Sequence, residues 1–487
     1  MRLHRPHDVF PADSHRLRHE QRIPIAVPPA AVGKAAAHAV SAAALAFLFA
    51  VSLPFAAQAQ TRTGPLFPRL GAYPIGDPHN YDSGTFRDLA LKHHVVIVGQ
   101  WPGWQWGHSM TMAAVMNDIK TRSTVGTKMF LYVNNSDVAD PQTPLDPYYP
   151  VWQKLNAEHW WLYQSGTIGV PVRSTFGANY GVANTTNFTP PDTLGKNWIR
   201  WKADFDYGFN VMGDPNDAPN SIVDGFYMDN VFWTPRNQGD WNRDFTTDCN
   251  KPNTFQPCND VEARWMRDGY RSYFDYIRSI WRPGTPGAGG LQVGNIADWG
   301  DPLAVLDVLD QQLDGGVMEG MIGETWSVET RLGFDAMMQW YRKMIDATRA
   351  PKLVIFGHDR WASGNYQDMR YGLASTLMDD AYYYINLPGV DGNTSYDPSQ
   401  LQWFDEFDFS LGYPIQPRQE AQWSQGVWRR DFDNGIVLVN PKGNGQQTVD
   451  LGGTFRKLSG TQDPVTNNGA IVTSVTLAER DGIVLSR

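Results

Sequence analysis

Between residues 69 and 387 the chain alternates eight times between a short apolar run and a stretch with helical spacing. The runs are RLGAYPIGD (69–77), HHVVIVGQW (93–101), KMFLYVNNSD (128–137), VDGFYMDNV (223–231), LQVGNIADW (291–299), DGGVMEGM (314–321), KLVIFGHD (352–359) and AYYYINL (381–387). Several are apolar without a break, as parallel strands covered on both faces require. Intervening segments such as SGTFRDLALKH (83–93), NDVEARWMRDGYRSYFDYIRSIW (259–281) and TRLGFDAMMQWYRKMIDATR (330–349) repeat apolar residues every three or four positions. Eight strands, each followed by an amphipathic helix, predict an α/β fold, a (β/α)8 TIM barrel, over residues 60–411.

The texture changes after residue 412, in VWRRDFDNGIVLVNP (427–441), QQTVDLGG (446–453) and VTSVTLAERDGIVLSR (472–487). Short alternating runs broken by Asn-Gly, Asp-Gly and Gly-Gly pairs predict antiparallel strands with tight turns, a β-sandwich domain over 412–487. Residues 1–59 read as a basic leader and signal peptide: Arg2, Arg5, Arg16, Arg18, Arg22 and Lys34 precede an apolar stretch ending in Ala57-Gln58-Ala59. Export to the periplasm or the medium is the expectation, with membrane attachment only through this segment if it stays uncleaved.

The two cysteines, Cys249 and Cys258, are expected to pair as a local disulfide in that oxidising compartment, and neither has a nearby His or second Cys pair to form a metal site. A formal charge of −10 argues against a nucleic-acid partner. No Gly-rich nucleotide fingerprint follows the first strand and no H-E-x-x-H motif occurs, so neither cofactor nor metal is expected. The oligomeric state is left open.

Barrel active sites lie where strand C-termini meet the following loops. Here those ends carry Asp77, Gln100 with Trp101, Asn134 with Asp137, Asp229 with Asn230, Asp298 with Trp299, Glu319, His358 with Asp359, and Asn386. Capping of the next helix is the ordinary reason for Asp or Asn at such a place. Two positions depart from it. Asp229 shares an alternating set with Gly225 and Tyr227, and the loop behind it runs through Trp233 and both cysteines to about residue 259, so no helix starts at once. Glu319 is a poor cap by type, and Gly315, Gly316 and Gly320 are expected to leave room around its carboxylate. Two carboxylates on one rim are the minimum equipment for glycoside hydrolysis, with ~5–5.5 Å between them for retention and ~6.5–9.5 Å for inversion.

Three segments, PRLGAYPIGDPHNYD (68–82), VDGFYMDNVFW (223–233) and GGVMEGMIGETW (315–326), together with the C-terminal GIVLVNP, resemble bacterial glycosyl hydrolases of the glycosyl-hydrolase-like family fifteen and its barrel relatives. The likeness covers nearly all of residues 66–487. In related α-galactosidase-like barrels a strand-4 Asp is the nucleophile and a strand-6 acid protonates the leaving group. Carried over, the resemblance implies Asp229 as nucleophile and Glu319 as acid/base. Those relatives often carry Asp on strand 6, and Glu324 in GETW is the rival acid here. Candidate sugar-binding residues are Tyr73, Asp77, Trp101, Asn134, Tyr227, Trp233, Asp298, Trp299, Glu324, Trp326 and His358, the tryptophans as stacking faces and Asn134, Asp298 and His358 as hydrogen-bonding groups. The reading is an exported glycoside hydrolase acting on a poly- or oligosaccharide, with retention expected. Its rival is a non-catalytic carbohydrate-binding barrel or surface scaffold, which would share the Trp-rich rim. A metal-dependent esterase or deacetylase would need a His/Asp ligand cluster, and the strand ends offer only His358.

Overall fold

The computed structural model describes residues 62, 64–75, 81–99, 109–144, 146, 148–165, 168–211, 222–251, 257–281, 290–307, 310, 312–359, 361–386 and 401–487. All belong to one compact unit, Arg62–Arg487. The leader and the candidates Asp77, Gln100 and Trp101 lie outside the described residues.

Strands β1 (Gly71–Ala72), β2 (Val95–Val98) and β3 (Lys128–Asn134) open a parallel sheet. The chain then leaves it for a small antiparallel sheet of β4 (Asp137–Ala139), β5 (Arg173–Ser174) and β6 (Gly177–Val182). It returns through β7 (Gly225–Asp229), β8 (Leu291–Asn295), β9 (Gly315–Ile322), β10 (Leu353–His358) and β11 (Tyr382–Ile385). The order β1-β2-β3-β7-β8-β9-β10-β11 is parallel throughout. A parallel bridge between Leu70 and Tyr383, with Tyr383 N–H donating to Arg69 O at 2.8 Å, closes the ends into a barrel.

Helices α1 (Gly84–Ala90), α2 (Met112–Arg122), α3 (Tyr149–Ala157), α4 (Trp198–Asn210), α5 (Asp260–Ile280), α6 (Val328–Leu332), α7 (Phe334–Ala347) and α8 (Tyr366–Thr376) supply the outer layer. Caps set several of their starts: Ser83, Thr111, Asn197, Asn259 and Asn365 each accept a backbone N–H of the first turn. Between α4 and α5 the ion pair Lys202–Asp206 is fully buried, and Tyr273 donates to the same carboxylate at 2.8 Å. No described helix is long and apolar enough to cross a membrane.

Strand alternation sorts the apolar residues into two cores. Phe226 and Met228 of β7 join the layer between sheet and helices. Tyr227 points the other way and fills the barrel with Tyr73, Val95, Ile97, Phe130, Val293, Val317 and Ile355. The interior is thus packed, and only its mouth is left for chemistry.

The C-terminal strands β12 (Trp428–Asp431), β13 (Gly435–Asn440), β14 (Gln447–Lys457), β15 (Ile471–Leu477) and β16 (Asp481–Ser486) form one antiparallel sheet in the order β12-β13-β16-β14-β15. β14 pairs with β15 on both sides of a register shift between Asp450 and Phe455, and Arg456 and Lys457 at its end also pair with β16. Folded this way, the sheet encloses Ile436, Leu438, Val449, Leu477 and Leu485 as a small sandwich with its own core. The other face, with Trp428, Val437, Val439 and Val484, joins the barrel's outer core. β16 lies directly on α8: a Cβ at Gly482 would meet Ala374 Cβ at 2.5 Å and Arg370 O at 2.6 Å.

Candidate active site

β7 ends on Asp229, one inward step beyond Tyr227. Asn230 follows at φ 57°, a left-handed turn that Asn tolerates, and its N–H donates back to Asp229 Oδ1 at 2.8 Å. The Asn230 side chain donates to Asp137 Oδ2 at 2.7 Å and its carbonyl accepts from Tyr270 OH at 2.6 Å. Asn259, not Asp229, caps the next helix, α5. Asp229 therefore stands at the mouth for a reason other than capping.

Neighbouring strands supply its partners. Tyr132 of β3 donates its hydroxyl to Asp229 Oδ2 at 2.8 Å. Asn295, the last residue of β8, lies one inward step past Val293 and donates Nδ2 to Asp229 Oδ1 at 3.1 Å and to Glu319 Oε2 at 2.8 Å. A single amide nitrogen touching both carboxylates holds those two oxygens no more than about 6 Å apart. Below the pair, Tyr73 donates to Tyr227 OH at 2.8 Å, and burial together with the nearby carboxylates holds both phenols neutral. Asp229 and Glu319 keep part of their surface open.

Burial first, then the charges of Asp359 and Asp229, pushes the Glu319 carboxyl up to about 8. Asp229 is also raised by burial, against the three hydrogen bonds it accepts from Tyr132, Asn295 and Asn230. Those bonds favour the ionised form on Asp229, so the proton that the pair retains near neutrality belongs on Glu319.

The glycines around Glu319 do not open space. A Cβ at Gly316 would meet Gly294 O at 2.2 Å, so this glycine lets β8 and β9 close on each other. Gly320, at φ +68°, is covered by Trp326, whose ring a Cβ would meet at 1.9 Å. Trp326 itself remains 49% exposed, an aromatic face beside the acid. Glu324 lies past the end of β9 in the turn leading to that Trp, its N–H donating to Ser327 Oγ at 2.7 Å.

The other candidates divide. Asn134 organises the turn after β3, its Oδ1 accepting from Ser136 N at 2.9 Å and Asp137 N at 3.1 Å. Asp298 pairs with Arg236 at 2.8 Å, and Trp233 is largely buried with its carbonyl accepting from Arg267. Three residues are corrected. Tyr227 is no sugar ligand: it is fully buried in the barrel interior, its hydroxyl accepting from Tyr73 at 2.8 Å. Trp299 is no stacking face: it is fully buried, and its Nε1 donates to Val231 O at 2.6 Å. His358 is no sugar ligand: it is fully buried on the outward set of β10, with Nδ1 against Tyr383 OH at 2.9 Å and Nε2 against Asp368 at 3.3 Å.

Residues not singled out from the sequence complete the rim. Tyr132 and Asn295 were legible as inward steps from Phe130 and Val293. The inserted sheet brings Phe176, 55% exposed, to stack on Phe232, and the Arg236 guanidinium lies 4.0 Å from the Phe232 ring centroid. Cys249 and Cys258 form a disulfide with Cα atoms 4.9 Å apart. Glu262 lies beside them, but the bond removes both thiolates as metal ligands.

Residues 224–436 match the sequence profile of Hypothetical glycosyl hydrolase family 15. That segment holds Asp229, Asn295, Glu319 and Asp359. No curated protein matches the chain. Among solved structures it is similar to a debranching enzyme from Nostoc punctiforme, at 12% identity over 88% of this chain and 100% of that one, with a TM-score of 0.42. It is also similar to the cycloalternan-forming enzyme from Listeria monocytogenes, solved with a pentasaccharide substrate, at 10% identity over 88% and 42% of the two chains and a TM-score of 0.43. A third is the cycloalternan-degrading enzyme from Trueperella pyogenes, at 12% identity over 86% and 62%, again with a TM-score of 0.43.

Proposed function

We propose that this chain, which matches a glycosyl hydrolase family profile over residues 224–436, is an exported retaining glycoside hydrolase in which Asp229 is the nucleophile and Glu319 the acid/base. The observation that carries the reading is the shared contact of Asn295 with both carboxylates. Bridged oxygens held within about 6 Å of each other are compatible with the ~5–5.5 Å carboxyl separation of a retaining pair. In the first step an Asp229 oxygen attacks the anomeric carbon while Glu319 gives its proton to the departing glycosidic oxygen. The glycosyl–Asp229 ester is then hydrolysed by water that Glu319 deprotonates, which restores both groups and returns the sugar with its original configuration. Trp326 offers a face on which a sugar ring beside Glu319 can stack.

A screen of oligosaccharides and aryl glycosides on the purified chain tests this. Asp229→Asn and Glu319→Gln should each lower turnover by about 10³-fold or more, and the first-formed anomer, read by proton NMR, should be the retained one. Near-wild-type turnover in either variant rejects the assigned role, and an inverted product rejects the covalent intermediate. Glycan binding by calorimetry with no turnover of any glycan would favour the carbohydrate-binding scaffold instead.

Export is supported by the leader composition and by the Cys249–Cys258 disulfide, which persists in oxidising compartments. N-terminal sequencing of the protein recovered from periplasm and medium should place the new terminus near residue 60. Recovery only in the cytosol with the leader intact would reject export.

A further inference from the structure

A third carboxylate at this rim, Asp359, has no part in the reaction as written. It follows β10 and is 5% exposed. Its Oδ2 accepts the backbone N–H of Gly320 at 2.8 Å and its Oδ1 accepts Asn386 Nδ2 at 2.9 Å. Its own N–H donates to Ile322 O at 2.9 Å. Gly320 directly follows Glu319, so this carboxylate is fastened to the piece of backbone that carries the acid. Gly323 fixes the same register: at φ +104°, a Cβ there would meet Asp359 O at 1.7 Å.

The groups that face Glu319 can be set out by element. β7 contributes Asp229 and the neutral phenol of Tyr227; β1 is followed by the neutral phenol of Tyr73; β8 contributes the amide of Asn295. The loop after β7 contributes Arg236, whose charge opposes the acids and is itself paired with Asp298. The segment after β10 contributes Asp359. Of the two acidic neighbours, Asp229 becomes an ester in the first step, whereas Asp359 takes no part in that bond change. Two hydrogen-bond donors on a carboxylate favour its ionised form.

We propose that Asp359 is a positioning residue that keeps Glu319 protonated in the free enzyme, through a buried charge anchored on Gly320 and Asn386. The inference rests on Glu319 being the acid/base. Burial raises the Glu319 carboxyl most, and the charges of Asp359 and then Asp229 add to it.

The experiment compares 4-methylumbelliferyl and 2,4-dinitrophenyl glycosides of whichever sugar the screen identifies. Asp359→Asn should move the alkaline limb of kcat/KM for the methylumbelliferyl substrate down by about one pH unit or more, with the rate near pH 5 kept within about threefold. The dinitrophenyl substrate, whose leaving group needs no proton, should show no such shift. Asp359→Glu, which keeps the charge, should retain the wild-type limb. An unshifted limb in Asp359→Asn, or the same shift in Asp359→Glu, overturns the proposal. Should Asp359→Asn not fold, Asp359→Ser removes the charge and is read by the same criterion. Full methylumbelliferyl turnover in Glu319→Gln would instead reject Glu319 as the acid, a failure visible without any Asp359 variant.

Discussion

Tyr132 donates its phenolic hydrogen to Asp229 Oδ2 at 2.8 Å, reaching one inward layer up from its register partner Tyr227. Burial, and the Asp229 charge after it, hold Tyr132 well above its ordinary value, so it remains a donor throughout the working range. The bond favours the ionised form of Asp229, so its loss raises the affinity of Asp229 for a proton. Tyr132→Phe should therefore shift the acid limb of kcat/KM to higher pH. It should also lower the plateau by about 10-fold or more, from the ~1.5–3 kcal/mol of a hydrogen bond to a charged group. A pH–rate series on the variant checks both.

Asn295 should be the more sensitive site, because its one nitrogen serves both carboxylates. Asn295→Ala leaves two buried acids without their common donor, and a loss of about 10²-fold in kcat/KM is expected. Asn295→Asp should be worse: it replaces the donor with a third carboxyl, which must either repel the pair or take up a proton. Equal losses in the two variants would mean that spacing alone matters. The steady-state kinetics of both distinguish these cases.

What the sequence disclosed about this site follows from strand parity. Continuous apolar runs marked the eight barrel strands, and the step from Tyr227 to Asp229 gave the inward direction. The same two-residue step runs from Val293 to Asn295 and from Ile355 to Gly357, which puts His358 on the outward side, against α8. In LQVGNIADW that step is obscured, since β8 stops at Asn295 and the 3₁₀ turn Ala297–Gly300 carries Trp299 back into the core. The sheet of β4, β5 and β6 had no such local signature. Ser174 and Gly177 close a tight hairpin, but Asp137 and Val182 meet across 45 positions of chain, and that pairing depends on the fold around it.

Arg480, in the turn before β16, inserts between two helices of the barrel: it pairs with Asp368 on α8 and with Glu329 on α6, and lies 4.8 Å from the Tyr371 ring centroid. Although burial opposes it, contacts with His358 and then Arg480 hold the Asp368 carboxyl below its ordinary value. A depressed acid stabilises the fold above its unfolded value of about 3.9 and loses that contribution as pH falls through the folded one. Arg480→Ala leaves Asp368 to His358 and Glu329 to the Tyr371 hydroxyl, and should cost about 2–4 kcal/mol near neutrality. Its stability should also fall less steeply than the wild type between about pH 5 and pH 3. Urea unfolding at pH 7 and pH 4 measures both effects.

Gly320 and Trp326 make the last case, in which the steric demand of a glycine can be separated from its backbone freedom. The φ of +68° at Gly320 costs an L residue about 1 kcal/mol, and the indole lies where its Cβ would be. Gly320→Ala must displace the ring, turn the backbone, or both, and the backbone route moves the adjacent Glu319. Trp326→Ala removes the ring alone, so it should raise KM for an oligosaccharide while leaving kcat on an activated aryl glycoside within about threefold. If ring displacement dominates, Gly320→Ala added to Trp326→Ala costs little further kcat. If the backbone turns, the double variant keeps the kcat defect of Gly320→Ala. A double-mutant cycle on kcat reads the coupling directly, and independence of the two sites would mean that Trp326 does not hold the acid's backbone in place.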